Sequence, residues 1–180
     1  MKLPFVFSMM LMIAAVFGAR VAVAADPAVQ PANPLDAVPD KMPFSTPYGA
    51  AISLQRAQAL IQVAVAEAIR RGWQLNIAVV DSGANLVTFA RMDGAQLASI
   101  AISEHKARAA VKFRRPTKAF EDAIQKADSK YVLSLDDIVA SRGGIPLIEA
   151  GKIVGGIGCS GGTGSQDEVV CAAAAATMDK

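Results

Sequence analysis

Two pairs of short apolar segments, each pair joined by a tight turn, constrain the fold of this chain most strongly. Leu75 to Val80 and Leu86 to Arg91 flank residues 81–85, where the turn-forming residues Asp, Ser, Gly and Asn cluster. Ile145 to Ile148 and Ile153 to Gly158 flank a second, four-residue turn that contains glycine. Such short connections join antiparallel strands, because a parallel crossover needs a dozen or more residues. The sequence therefore predicts an antiparallel sheet built from two hairpins.

Apolar residues at helical spacing predict helices before, between and after these hairpins. The first helix begins after Ser53, a favourable N-cap residue, and ends at Gly72. Thr117 is a candidate cap for a shorter helix, and residues 128–142 have no clear assignment. The predicted helices span residues 53–71, 96–113, 117–126 and 165–178. Because two hairpins cannot bury both faces of a sheet alone, helices should cover it, which gives an α+β fold.

The N-terminus has the pattern of a secretory signal peptide. Lys2 supplies a positive start, Leu3 to Gly18 is apolar, and Ala22-Val23-Ala24 provides small residues before a cleavage site. The alternative is an uncleaved membrane anchor, but Arg20 interrupts an apolar run that is shorter than the ~20 residues of a spanning helix. We therefore expect residues 1–24 to be removed and the protein to be periplasmic or secreted, without a membrane segment.

The charge balance of the exported chain argues against nucleic-acid binding. Cleavage would remove Lys2 and Arg20, two of the 18 basic residues, and would leave as many basic as acidic residues, of which there are 16. A neutral chain has no general basic field that attracts phosphate backbones.

A proline-rich segment, residues 25–52, is expected between the signal peptide and the folded domain, residues 53–180. It contains six of the nine prolines of the chain, and proline favours extended or irregular backbone. The segment is either a plain tether or packs along the domain through Met42, Phe44 and Tyr48.

Enzyme motifs are few. The glycine-rich residues 155–164 lack the Gly-Lys-Ser/Thr ending of a phosphate-binding loop, so tight strand-to-helix packing explains them better than anion binding. Capping explains the acidic residues that could act as an acid–base pair better than catalysis does; these are Asp81, Asp93, Asp167 and Glu168. His105 is the only histidine of the chain and stands in no zinc-binding pattern.

His105 is nevertheless the most interesting single residue. At 100° per residue, His105, Arg108 and Lys112 share one stripe of the second helix, and Ser99, Ser103 and Lys106 form another. An imidazole flanked by two cations suits an anionic planar ligand, because the imidazole can ligate iron while the cations meet carboxylates. The alternative is a solvated polar stripe. Apolar residues on the remaining faces of this helix indicate protein on more than one side and thus a subunit contact.

Export places the two cysteines, Cys159 and Cys171, in an oxidising compartment. The glycine-rich loop between them turns the chain back, so the final helix can lie against the strand that precedes it. We therefore predict a Cys159–Cys171 disulfide, with two buried free thiols as the alternative.

Several stretches of the sequence resemble the GlcG/HbpS family of haem-binding proteins. Their order and spacing cover residues 53–178, almost the whole predicted domain. The first stretch comprises Ala78 to Asp81, Gly83 and Phe89 to Ala95. The second comprises Lys106 to Ala110, Phe113 and Pro116-Thr117. The third comprises Gly143 to Leu147, Gly155 to Gly158, Ser160 to Thr163 and Gln166 to Glu168.

This resemblance implies a profilin-like antiparallel sheet covered by helices and assembled into higher oligomers, commonly octamers. It also implies haem binding in some members and a sensor-kinase partner for one exported member, while haem degradation has been attributed to the family. The chain lacks the iron-binding Glu-x-x-Glu motif of the member with the sensor-kinase partner. It also has Cys159 and Cys171 where the family usually has small or aliphatic residues.

Together these features predict an exported homo-oligomer that binds haem or a related tetrapyrrole, more readily as a binding protein than as an enzyme. His105 is the candidate iron ligand, and Arg108 and Lys112 are the candidate partners of the haem carboxylates. The alternative iron ligands are Tyr48, Tyr131, Met42 and Met92. The alternative functions are an enzyme of haem or small-molecule breakdown and a ligand-free accessory protein of a periplasmic dehydrogenase or sensor.

Overall fold

The computed structural model describes residues 37–178, so the predicted signal peptide and the start of the proline-rich segment lie outside the described residues. From Lys41 onward the chain forms one compact unit. Its helices are α1 (Leu54–Arg71), α2 (Ala98–Lys112), α3 (Lys118–Ala127) and α4 (Gly164–Ala175), and its strands are β1 (Asn76–Asp81), β2 (Leu86–Arg91), β3 (Gly144–Glu149) and β4 (Lys152–Ser160). Within this described region no helix has the length and apolar character needed to cross a bilayer.

The four strands form one antiparallel sheet in the order β2-β1-β4-β3. Both predicted hairpins are present, since β1 pairs with β2 and β3 pairs with β4. The hairpins join through β1 and β4, where Ile77 lies opposite Cys159 and Val79 opposite Ile157. The predicted α+β class is therefore confirmed, and each predicted strand lies within two residues of its observed bounds.

Helices cover both faces of the sheet. Alternate side chains of each strand point to opposite faces, so each strand contributes to two cores. Ile77 and Val79 belong to a large core shared with α1 and α4. Their neighbours Ala78 and Val80 belong to a smaller core on the other face, which α2 completes. A third apolar cluster around Phe120 joins α3 and the segment after it to the outer side of α2. This arrangement fixes α2 between the sheet and the outer layer.

Helix ends follow the predicted capping with one exception. The Ser53 hydroxyl accepts a hydrogen bond from the N–H of Arg56, and Gly72 ends α1 with φ at 72°. Thr117 does precede α3, but its hydroxyl accepts from the N–H of Gly144 at 2.9 Å and not from the helix. The prediction of a Thr117 cap is wrong because this hydroxyl connects α3 to the start of β3, a contact that local spacing does not reveal.

The end of the proline-rich segment packs on the fold. Residues 47–52 form a short parallel pairing with the beginning of β4. The Tyr48 hydroxyl lies 3.0 and 3.2 Å from two carbonyl oxygens in the last turn of α2 and donates to them, and the Phe44 ring lies on the guanidinium of Arg115. Met42 is 84% exposed and makes no comparable contact. This part of the segment is therefore not a plain tether.

Residues 128–142 contain a short 3₁₀ turn (Lys130–Ser134) followed by irregular backbone. The Glu121 carboxylate fastens the end of this segment to α3, because its two oxygens accept from the backbone N–H and the Nε of Arg142, each at 2.8 Å. The Arg142 guanidinium also holds the pKa of Glu121 below its usual value. The segment is thus held against the outer side of α2.

Candidate functional site

The predicted ligand-binding residues lie together on the outward side of α2. The His105 side chain is exposed, and Arg108 and Lys112 follow it along the same side of the helix. The structure therefore brings the three side chains onto one surface strip, as the helical spacing predicts. We call this the His105 strip; it comprises His105, Arg108, Lys112 and the residues that contact them.

Each cation of the strip already holds a carboxylate. The Arg108 guanidinium lies 3.0 Å from Oε2 of Glu104, and the Lys112 ammonium donates to Asp137 from the segment after α3. The hydrogen bond from Lys112 lowers the pKa of Asp137, and the charges of His105 and Arg108 lower it further. Asp137 therefore contacts Lys112 and lies within electrostatic range of the other two residues. Such exposed ion pairs stabilise a fold by at most ~1 kcal/mol, so a ligand carboxylate can replace the internal one.

Apolar surface continues the His105 strip toward the start of α2. Leu97 is 71% exposed, and Ala98 and Ala101 are also exposed, one to two turns before His105. An exposed imidazole thus stands between a small apolar surface and a pair of cations. This combination suits a flat ligand that is apolar over most of its area and anionic at one edge.

The second polar stripe expected on α2 is buried. Ser99 and Ser103 have no exposed surface, and Lys106 is 1% exposed. The Lys106 ammonium donates to Oδ2 of Asp167 at 2.7 Å and to the carbonyl oxygen of Cys159 at 3.2 Å. This stripe faces the sheet, because small residues on the same face let α2 lie directly on the strands.

Asp167 connects this buried ion pair to the glycine-rich loop. Its Oδ1 accepts from the N–H of Gly162 at 3.0 Å, so this carboxylate holds the loop before α4, while Thr163 and Gln166 cap the helix itself. Burial raises the pKa of Asp167, while the Lys106 charge and the glycine N–H groups oppose that rise. The sequence signal that could have found the pair is the position of Lys106 among the small residues of the buried face. The pair holds the loop between β4 and α4 against α2.

The glycines of β4 serve close packing. A Cβ at Gly158 would lie 2.1 Å from the carbonyl oxygen of Ser103, and one at Gly156 would lie 2.6 Å from that of Ala107. At the other end of the loop, Thr163 and Gln166 form a capping box at the start of α4. These contacts favour the packing interpretation of the glycine-rich loop over anion binding.

The predicted disulfide is present. Cys159 at the end of β4 is bonded to Cys171 in α4, with a Cα–Cα distance of 5.7 Å. Both cysteines are fully buried in the core that α1 and α4 share with the sheet. The bond therefore ties α4 to the strand that precedes it, next to the Lys106–Asp167 pair.

The remaining candidates are dispersed over the surface. Asp81 closes the first hairpin by accepting from the N–H groups of Gly83 and Asn85, as its capping interpretation predicts. Tyr131 is exposed, whereas Met92 is half-buried beside a groove of about 450 Å³ between α1 and β2. An apolar groove of about 410 Å³ lies between β3 and α4. Within residues 37–178 no three His, Cys, Asp or Glu side chains are grouped as metal ligands.

The chain is similar in sequence to known proteins. The family model described as haem-degrading protein HbpS-like matches residues 52–176. The protein GlcG of Escherichia coli K12 is 37% identical over 109 residues, which cover 61% of this chain and 81% of GlcG.

Two solved structures share the fold. The crystal structure of HbpS is 28% identical with a TM-score of 0.68, over 78% of this chain and 99% of HbpS. The crystal structure of a complex of PduOC with haem is 27% identical with a TM-score of 0.64, over 71% of this chain and 94% of PduOC.

Proposed function

Because the chain belongs to the family of haem-degrading, HbpS-like proteins, we propose that it binds haem or a related tetrapyrrole. The observation that carries the proposal is the likeness to PduOC, whose crystal structure is a haem complex.

The His105 strip is the proposed binding surface. His105 would ligate the iron, because its imidazole is exposed and an imidazole nitrogen is a common ligand of haem iron. Arg108 and Lys112 would exchange Glu104 and Asp137 for the carboxylates of the ligand. The exposed apolar residues at the start of α2 would contact the macrocycle. The bound haem would supply its redox-active iron, and the protein would supply ligation, orientation and apolar cover.

Binding without turnover is the form of this proposal that the strip supports best. The side chains of the strip lie on an open helix face, whereas catalytic sites work by excluding water from the reacting groups. Haem breakdown is the second candidate function, and the description of the family favours it.

We also propose that the protein acts after export and as a homo-oligomer. An open helix face can cover one side of a flat ligand, so a second subunit would be needed to cover the other. The N-terminal signal pattern supports export to the periplasm or the medium. After export, the protein could meet a periplasmic protein partner.

A hemin titration tests the proposed function and separates its two forms. Binding without turnover predicts a saturable Soret shift and recovery of intact hemin after prolonged incubation with a reductant and air. Progressive loss of the Soret band, with linear tetrapyrrole products, would establish breakdown instead. Absence of any saturable spectral change would refute both forms.

A further inference from the structure

The Arg115 guanidinium lies among three aromatic rings just beyond the end of α2. Its Cζ is 3.7 Å from the centroid of the Phe44 ring, 4.9 Å from that of Phe120 and 5.9 Å from that of Phe113. These contacts hold the cation in place by cation–π attraction. They also remove water from it, and the pKa of Arg115 is lowered by this desolvation.

The Nε donor of Arg115 has no acceptor among the described residues. Within residues 37–178 no carboxylate pairs with this guanidinium, and its Nε is shielded from solvent without an acceptor. Arg108 and Arg142, by contrast, each hold a carboxylate of the same chain. Buried donors in folded proteins nearly always have a partner, so Arg115 points to an acceptor that residues 37–178 do not supply. The side chain is only partly buried, and a ligand can therefore reach it.

The neighbouring residues strengthen this indication. The Arg114 guanidinium lies 4.6 Å from the centre of the Tyr48 ring, and among the described residues it too has no carboxylate partner. Phe44 and Arg114 adopt positive φ values of 58° and 54°. At Arg114 this conformation ends α2, because the N–H of Arg115 donates to the carbonyl oxygen of Ala110. Phe44 lies in no helix or strand, and a large side chain rarely adopts such a φ. Two cations without a carboxylate partner among residues 37–178 thus meet one strained aromatic residue on the surface.

We propose that Arg115, with Arg114 beside it, binds an oxyanion, namely a carboxylate or phosphate group of a ligand. The planar fork of a guanidinium matches both groups through paired N–H donors, and a desolvated guanidinium binds them more strongly than a hydrated one. This site lies beyond the C-terminal end of α2, more than two helical turns from His105. Arg114 follows Lys112 by two residues, so this site borders the end of the His105 strip, but the proposal does not rest on haem binding.

Thermal unfolding at constant ionic strength tests this proposal, with inorganic phosphate and acetate as separate probes. A specific site raises Tm in a saturable manner, because ligand binding stabilises the folded state. Arg115→Gln should lower the affinity by about tenfold or more, since both charge and fork are lost. Arg115→Lys keeps the charge and the cation–π contacts, so it should fold normally and yet bind more weakly than the wild type.

Arg91→Gln is the matched control, because Arg91 is an exposed arginine on β2 and is not enclosed by rings. It should bind both probes as the wild type does. The probe that binds more tightly identifies the ligand group as phosphate or carboxylate. The proposal is overturned if neither probe gives a saturable shift in the wild type, or if the shift persists unchanged in Arg115→Gln.

Discussion

The Lys106–Asp167 ion pair is the residue-scale feature with the largest expected effect on stability. Both side chains are almost fully buried, and the ammonium and carboxylate have further partners in the carbonyl oxygen of Cys159 and the N–H of Gly162. A buried pair of this kind contributes little net stability, whereas one unpaired buried charge is strongly unfavourable. The pair therefore specifies how the loop after β4 sits on α2 more than it strengthens the fold.

Replacing one partner of the pair should therefore destabilise the fold more than replacing both. We expect Lys106→Met to lower the free energy of unfolding by about 3–5 kcal/mol, because Asp167 is left buried and unpaired. The double variant Lys106→Met/Asp167→Asn should be less destabilised than the single variant, since no charge remains. Urea denaturation measures the free energy of unfolding of both variants, and equal m-values make the two results comparable. A smaller loss of unfolding free energy in the single variant than in the double variant would contradict this account of the pair.

At the scale of elements, the contact between α2 and β4 determines the architecture. The helix lies so close to the strand that Gly156 and Gly158 leave no room for a side chain. Ala107 and the buried Lys106 stand on the same helix face. The small residues of two distant segments are thus explained by a single close approach.

Adding one methyl group at this contact should destabilise the protein. A Cβ at Gly158 would meet backbone atoms of α2 at 2.1 and 2.6 Å, so Gly158→Ala must separate helix and strand. We expect a loss of about 2 kcal/mol or more in the free energy of unfolding. Gly164→Ala is the control, because its nearest neighbours are flexible side chains of residues 121, 141 and 142. Equal effects of the two variants in denaturant unfolding would contradict the close-approach argument.

The disulfide is a second link between elements. It closes a loop with a sequence separation of 12, for which chain entropy predicts stabilisation by about 3 kcal/mol. Cys159→Ser alone should lower the melting temperature as much as the double variant Cys159→Ser/Cys171→Ser, or more, because it also leaves one reactive thiol. Calorimetry of the two variants decides this. A single variant with the stability of the wild type would show that the bond adds nothing.

Periodicity and turn residues were sufficient to predict the elements, since both hairpins and all four helices occupy their expected positions. They could not predict the pairing of β1 with β4 or the side of α2 that faces the sheet. These depend on contacts between distant segments, as in the burial of Lys106 by the pair with Asp167. The enclosure of Arg115 could not be predicted for the same reason, because the nearest of its rings comes from Phe44 in the proline-rich segment.

At the scale of the whole molecule, the exposed apolar residues bear on assembly. Leu97 at the start of α2 and Leu133 after α3 are more than half exposed, as is Ile69 in α1. Single exposed apolar residues are ordinary, but the strip at the start of α2 adjoins the proposed haem surface. Self-association through that helix would cover both the apolar residues and the open side of a bound ligand.

We therefore expect a homo-oligomer larger than a dimer in solution. Multi-angle light scattering at micromolar concentration measures its mass directly. Leu97→Lys should shift the mass distribution toward smaller species, because it places a charge in the apolar strip. Leu133→Lys is a control at a second exposed leucine, outside the strip. A wild-type mass equal to that of a monomer would contradict the expectation of self-association.

The central claim is that the His105 strip holds haem, and the absorption spectrum of a His105→Ala variant titrated with hemin tests it most directly. We expect the variant to bind more weakly than the wild type, with a changed Soret band because an imidazole ligand is lost. Tyr131→Phe, which removes an alternative ligand, should leave the wild-type spectrum and affinity intact. A His105→Ala titration identical to that of the wild type would contradict the account, and a changed spectrum in Tyr131→Phe would identify Tyr131 as the ligand instead.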